Sequence, residues 1–123
     1  MRKQYFFRPS ERGLQAWDVD RLIAQSKNLP RKQVNVEDLG ELDRPWAGNG
    51  EQTTWRSLLE HVRYINEADL SFPIILAANG EVMDGRHRIA KAALEGRPTI
   101  GAVQFDHDPP PDFVGRNPED LPY

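Results

Sequence analysis

The chain has 123 residues, a net charge of -3 and no cysteine. That length suits one domain with a core, and the missing thiols exclude disulfides, thiolate nucleophiles and Cys-ligated metal sites. A mean hydropathy of -0.69 and a longest apolar run of only Pro73 to Ala78 exclude a transmembrane helix, which needs roughly 20 residues.

In chain order, residues 1–16 read as a mixed N-terminal arm whose Tyr5, Phe6 and Phe7 pack on the body, since three adjacent exposed aromatics make a poor surface. The start of the chain, MRKQYFFRPSER, lacks the apolar stretch of a secretory signal, so a cytoplasmic protein is expected. A first helix is expected from about Asp18 to Lys27, with Asp18 as its cap and Val19, Leu22 and Ile23 on one face. Asn28-Leu29-Pro30 ends it. A short strand follows over 33–36, with Val34 and Val36 turned inward. Residues 37–53 are rich in turn formers (Gly40, Pro45, Gly48, Asn49, Gly50), and so long a loop is often functional.

The second helix starts after Thr53 or Thr54 and carries Trp55, Leu58, Leu59, Val62 and Ile65 at helical spacing, the pattern of a core-facing stripe. Ile74-Ile75-Leu76 reads as a buried strand. Asn79-Gly80 signals a hairpin, the type I′ turn wanting positive φ at both residues, and Glu81-Val82-Met83 returns. A third helix opens at Asp84-Gly85 and runs to about Glu95, where Gly96 is a natural terminator and Pro98 blocks continuation. Thr99 to Phe105 reads as a last strand. Residues 106–123 are Pro-rich and acidic, either laid along the surface or disordered. The expected architecture is a single α+β (α/β) domain over 1–123, with a small mixed sheet and three main helices.

The chemistry concentrates in Asp84-Gly85-Arg86-His87-Arg88. A helix N-terminus offers unpaired N–H groups and about half a positive charge, so anions, phosphate above all, bind there. Arg86, His87 and Arg88 in the first turn are electrostatically costly, by roughly 0.3–1 kcal/mol each. A bound phosphate reverses the sign. Of the 16 cations 12 are arginine, the better fork for phosphate. The bland alternative is that Asp84 caps the helix, Arg86 and His87 face water, and Arg88 pairs with Asp84 or Glu81. Of the remaining candidates, His61 reads as a partly exposed helix residue rather than a ligand. His107, between two aspartates, lacks other spaced metal ligands. Trp17 and Trp55 read as core anchors.

The stretch PIILAANGEVMDGRHRIAKAALEGRPTIGAVQF resembles the core of the ParB/sulfiredoxin-like superfamily: a hairpin strand, a G-x-x-R turn, a helix and a closing strand. ParB proteins show Gly-Glu-Arg-Arg at the turn, sulfiredoxins Gly-Gly-Cys-His-Arg, and the free serine kinases of this fold Asp-Gly-His-His-Arg, which is nearest to Asp84-Gly85-Arg86-His87-Arg88. QVNVEDLGELDRPWA, from Gln33 to Ala47, resembles the superfamily's first strand and the loop after it, so the resemblance covers roughly 33–105. It implies nucleotide phosphates held by Gly85, His87 and Arg88, with Arg44 closing from the loop, and the cationic Arg86 of the same turn joins them. It also implies ATP or ADP as nucleotide, with Mg²⁺. Arg86 stands where sulfiredoxin has its catalytic Cys and ParB its Glu, so sulfinic-acid reduction is excluded and ParB-type metal handling is put in doubt. A small kinase or nucleotide hydrolase would then use Glu41 or Asp43 near the acceptor, and Trp46 could stack on a base. The rivals are a non-enzymatic module that binds a nucleotide or a protein partner through 37–53 or 106–123, and a DNA-associated accessory protein or nuclease. The net charge of -3 disfavours the last.

Overall fold

Alternation of apolar residues along Ile74-Ile75-Leu76-Ala77 sends successive side chains to opposite faces of a sheet, and two cores result. In the computed structural model, which describes residues 3–48 and 50–123, a four-stranded mixed sheet divides them. Its strands are β3 (Lys32–Asn35), β4 (Ile74–Leu76), β5 (Val82–Asp84) and β6 (Thr99–Gln104), in the order β3-β6-β4-β5. β6 lies antiparallel to β3 and parallel to β4, and β4 and β5 form an antiparallel hairpin. Ile75, Ala77, Met83, Val103 and Phe105 pack with Phe6, Trp17 and Leu22 in one core. Ile74, Leu76, Ile100 and Ala102 pack with Val36, Leu39, Ile89 and Ala92 in the other.

The first core is closed by a second sheet. The expected N-terminal arm is a folded hairpin: β1 (Tyr5–Arg8) pairs antiparallel with β2 (Gln15–Asp18), and β7 (Phe113–Val114) adds to β2 as a third strand. Of the three adjacent aromatics Phe6 is buried, against Trp17 at a ring separation of 5.6 Å. Tyr5 meets the rings of Phe113 and Tyr123. The Pro-rich tail is therefore laid along the body, and polar ties hold it there. Trp17 Nε1 donates to the Pro109 carbonyl at 2.7 Å. Asp112 accepts from the Asp18 N–H at 2.8 Å and pairs with Arg21 at 2.6 Å. Asp108 accepts from the Ala78 N–H at 2.8 Å and pairs with Arg8 at 2.9 Å.

The helices follow their local signals. α1 (Val19–Gln25) is capped by Asp18, whose carboxylate accepts from the Asp20 N–H at 2.9 Å. Leu22 and Val19 are buried, but Ile23 is exposed rather than on their face. α2 (Trp55–Glu67) is capped by Thr54, and α3 (Arg86–Leu94) ends with Gly96 in the left-handed region. There the Arg97 N–H reaches the Ala92 carbonyl and the Gly96 N–H that of Ala93, which satisfies orphan carbonyls. The expected loop at 37–53 begins with two 3₁₀ turns, Val36–Asp38 and Gly40–Asp43. Met1, Arg2 and Asn49, the last a turn former of that loop, lie outside the described residues.

Two further expectations are corrected. The hairpin at Asn79-Gly80 is not a two-residue I′ turn, because no non-glycine described residue has positive φ. The Gly80 N–H donates to the Ala77 carbonyl, the Ala77 N–H donates to the Glu81 carbonyl, and Gly80 alone takes the left-handed conformation. That is a three-residue connection with a glycine bulge. The inward face of α2 is also rotated from the apolar stripe. Ser57, Leu58, His61, Tyr64, Ile65 and Ala68 are half-buried, whereas Trp55, expected in the core, is 79 % exposed. α2 packs on α3 rather than on the sheet, so its inner face needs polar partners for α3 as much as apolar ones. No described helix is long and apolar enough to cross a membrane.

Candidate functional site

β5 delivers the chain to Gly85, which turns it into α3. Gly85 sits at φ 117° as the N-cap residue and supplies no side-chain cap. Asp84, expected as the cap, instead pairs with Arg88, Oδ2 to Nη2 at 2.9 Å. The first turn of α3 therefore contains no acid and no capping side chain, and its N–H groups remain available to an anion. A Cβ on Gly85 would stand 2.5 Å from Ile74 Cγ2. The missing side chain thus serves the core beneath the turn.

Arg88 is committed to that structural role. Its Nη2 holds Asp84, and its Nε is buried without a partner. Asp84→Ala is expected to strand the guanidinium and cost about 1–3 kcal/mol. In a double-mutant cycle with Arg88→Leu, followed by urea unfolding, the double variant should lose less than the sum of the singles. Lys91 is spoken for as well: its Nζ donates to the Ala68 and Asn66 carbonyls at 2.7 and 3.1 Å, closing the C-terminus of α2.

His87 differs. Its Nε2 lies 2.9 Å from His61 Nδ1, and His61 Nε2 lies 2.5 Å from Glu51 Oε1. Glu51 is held by the Gly48 N–H at 2.8 Å on Oε2 and by the Ser57 hydroxyl at 2.8 Å on Oε1. Burial raises the Glu51 pKa, but the hydrogen bonds from Gly48, Ser57 and His61 outweigh it and hold the carboxyl below its ordinary range. An ionised carboxylate only accepts, so His61 Nε2 donates. A singly protonated His61 then accepts at Nδ1, His87 Nε2 donates to it, and the lone pair of His87 falls on Nδ1. That atom has no hydrogen-bond partner among the described residues. Burial pushes the His87 pKa down to about 4, with Arg86 and His61 acting the same way and Glu51 opposing. The ring is neutral at pH 7, a base at the mouth of an uncapped helix, oriented through two hydrogen bonds by a carboxylate.

The loop residues gather round this relay. Trp46 sits edge-on to His61 at 5.9 Å and Tyr64 packs on His87 at 5.4 Å. The 3₁₀ turn bearing Glu41 and Asp43 packs against α3. At its end Arg44 Nη1 lies 3.6 Å from Glu41 Oε2, the arginine side chain largely exposed and the glutamate largely buried. Gly85, Arg86, His87 and Arg88 thus share one helix end, with Glu41, Asp43 and Arg44 on a turn packed against that helix and Trp46 against the relay. Glu51 and His61 are the residues that sequence reasoning missed. His61 carries one signal: it falls with Ser57, Leu58, Tyr64 and Ile65 on a single α2 face. Among the described residues no group of three or more His, Asp or Glu side chains is placed to hold a metal ion. An open groove of about 640 Å³ lies at the opposite end of α3, lined by Asp69, Ser71, Lys91 and Arg97 among others.

A scan of protein-family models and searches of curated proteins and of solved structures found no match to this chain.

Proposed function

We propose that the first turn of α3 is a phosphate site and that the chain is a small nucleotide-binding phosphotransferase or nucleotide hydrolase, in keeping with the ParB/sulfiredoxin-like resemblance of 33–105. The observation that carries this reading is the Glu51–His61–His87 relay, which ends on a neutral imidazole beside an uncapped helix N-terminus. Phosphoryl transfer asks for charge neutralisation, positioning and a proton acceptor. In this reading the free N–H groups of Arg86 and His87 and the Arg86 guanidinium take the phosphate oxygens. Arg44 swings from Glu41 to close over them, and Trp46 offers a face to the base. His87 Nδ1 accepts the proton of the attacking hydroxyl or water as its oxygen bonds to the terminal phosphorus and the bridging P–O bond breaks, the shortened nucleotide departing with that oxygen, and Glu51 stabilises the resulting charge through His61. Glu41 and Asp43 stand nearer the acceptor, and Arg88 acts by fixing the turn. Mg²⁺ would arrive on ATP or ADP, whose phosphates hold it with its waters.

A pKa of about 4 makes the unliganded His87 a weak base. A phosphate dianion beside it adds a charge that favours the imidazolium, raising the proton affinity toward the range where general catalysis is efficient. The test is thermal unfolding with ATP, ADP, CTP and inorganic phosphate, with and without Mg²⁺ at matched ionic strength. Binding at a hundredfold excess over Kd stabilises by about 2.7 kcal/mol. Glu51→Gln is expected to keep the shift and lose turnover, and NMR titration of His87 should show its pKa rising with phosphate. No shift with any of the four ligands removes the reading and leaves the alternative of a partner-binding module, which the exposed apolar stripe of α2 favours.

A further inference from the structure

α2 presents an apolar stripe to solvent. Trp55 is 79 %, Leu59 62 % and Val62 40 % exposed, and at 100° per residue the three fall within one narrow sector. The other large exposed apolar side chains stand on different segments: Ile23 on α1, Leu42 and Trp46 in the 37–53 loop, Phe72 ahead of β4, Leu94 at the end of α3, Val114 on β7 and Tyr123 in the tail. Beside the stripe, on one flank only, run Arg56, Glu60, Arg63 and Glu67, all exposed.

The order of these four charges is informative. Read from the N-terminus it is plus, minus, plus, minus. Reversed about a point between His61 and Val62, Arg56 falls opposite Glu67 and Glu60 opposite Arg63. When two helices pack antiparallel, like flanks meet, so the flank of one α2 faces the same flank of another in reverse order. Both cross-pairs are then opposite in sign, and each occurs twice under a two-fold axis. A parallel arrangement would instead set this flank against the other side of the helix. Within the chain Glu60 accepts from the Tyr64 hydroxyl and Arg63 lies over the Tyr64 ring, and no ion pair among these four charges is formed between described residues.

We infer that this face of α2 docks on the α2 of a second copy of the chain, antiparallel and two-fold symmetric, with Leu59 and Val62 near the axis. The helix is 13 residues, or roughly 20 Å. Along that length the stripe and flank occupy the outward side of the helix, so the inner face that carries His61 stays with α3. The association needs no ligand at α3 and does not depend on the phosphate reading.

Sedimentation of the full chain over a concentration series tests it. Wild type is expected to dimerise, and Leu59→Lys to weaken the dimer by ~10-fold or more, ~1.4 kcal/mol or more. The charge register has a sharper test. Arg56→Glu alone sets two carboxylates against each other at both copies of the 56–67 cross-pair. Glu67→Arg alone sets two guanidiniums against each other there, so each variant should associate more weakly than wild type. Mixed together, the two variants have one cross-pair of reversed sign and one of native sign, both attractive, and a heterodimer should re-form. Circular dichroism at matched concentration separates loss of association from loss of fold. A monomeric wild type, a dimer indifferent to Leu59→Lys, or single variants that fail to rescue each other would overturn the assignment and leave the stripe to a partner of another kind.

Discussion

Replacing Gly85 by alanine will cost the fold about 2–4 kcal/mol, the combined expense of a left-handed backbone and an overpacked contact. Gly85 sits at φ 117°, and a Cβ would meet Ile74 Cγ2 at 2.5 Å and Ile74 Cβ at 2.9 Å. Ile74 is fully buried in the core that α3 covers, so it has little room to yield. Gly80 supplies the control. It too has positive φ, yet nothing lies within 4 Å of its would-be Cβ. Gly80→Ala should therefore cost only about 1 kcal/mol, the conformational part. Urea unfolding of both variants separates the two contributions. Gly85→Ala combined with Ile74→Ala should fall short of the sum of the singles, because the second change removes the clash of the first. Equal losses at Gly80 and Gly85 would mean that the contact with Ile74 is relieved by backbone movement.

The second large effect is on acid stability. The His87 pKa is about 4 in the folded protein against 6.5 for the ordinary ring. Between those values the unfolded chain binds more protons than the native one, so stability rises with pH from about 4 to 6.5 and is lost on the way down. The groups that face the ring are Arg86 and Arg88 on its own helix and Glu51, His61 and Tyr64 from the loop and α2. The loss is of order 1–2 kcal/mol, the full linkage value roughly halved because the ring is partly screened by solvent. Below that window a second loss begins, as Glu51, Asp18, Asp69 and Asp108, all held below their ordinary carboxyl range, are protonated. His87→Gln keeps a donor for His61 and cannot titrate. Its stability should be nearly flat from pH 6.5 to 4 while the steeper fall below remains. A wild-type profile already flat across that range would show that the ring is not held neutral by its surroundings.

What could be read in advance was what depends on neighbours in the chain. Asp18 caps α1, Gly96 and Pro98 end α3, and Asn79-Gly80 marks a reversal; each acts within a few residues of itself. The mixed α+β character followed from the order of such elements. The N-terminal hairpin was missed because Phe6 and Trp17 are buried by partners far along the chain, Ile75, Met83, Val103 and Phe105 among them, and because its third strand, Phe113–Val114, comes from the tail. The rotation of α2 was missed because hydrophobic periodicity finds the apolar stripe, and here the half-buried face takes Ser57, His61 and Tyr64 with Leu58 and Ile65 while Trp55, Leu59 and Val62 face out. Within the candidate site, the first turn of α3 was visible as a break in helix electrostatics. Glu51 was one loop acid among several, and only the approach of His61 singles it out.

The tail has a consequence for how the protein is made. Residues 32–104, all four strands of the mixed sheet, leave the ribosome before any residue after 106. The Trp17 indole N–H and the Asp18 amide find their acceptors 92 and 94 positions downstream. Until residues 109 and 112 emerge, those donors have only water, and the face of the mixed sheet that the hairpin covers is one strand short of its lid. A chain cut between β6 and residue 109 therefore keeps the whole mixed sheet but leaves those donors and that face without their cover, and it should be proteolysed more readily than one that carries residues 109–114.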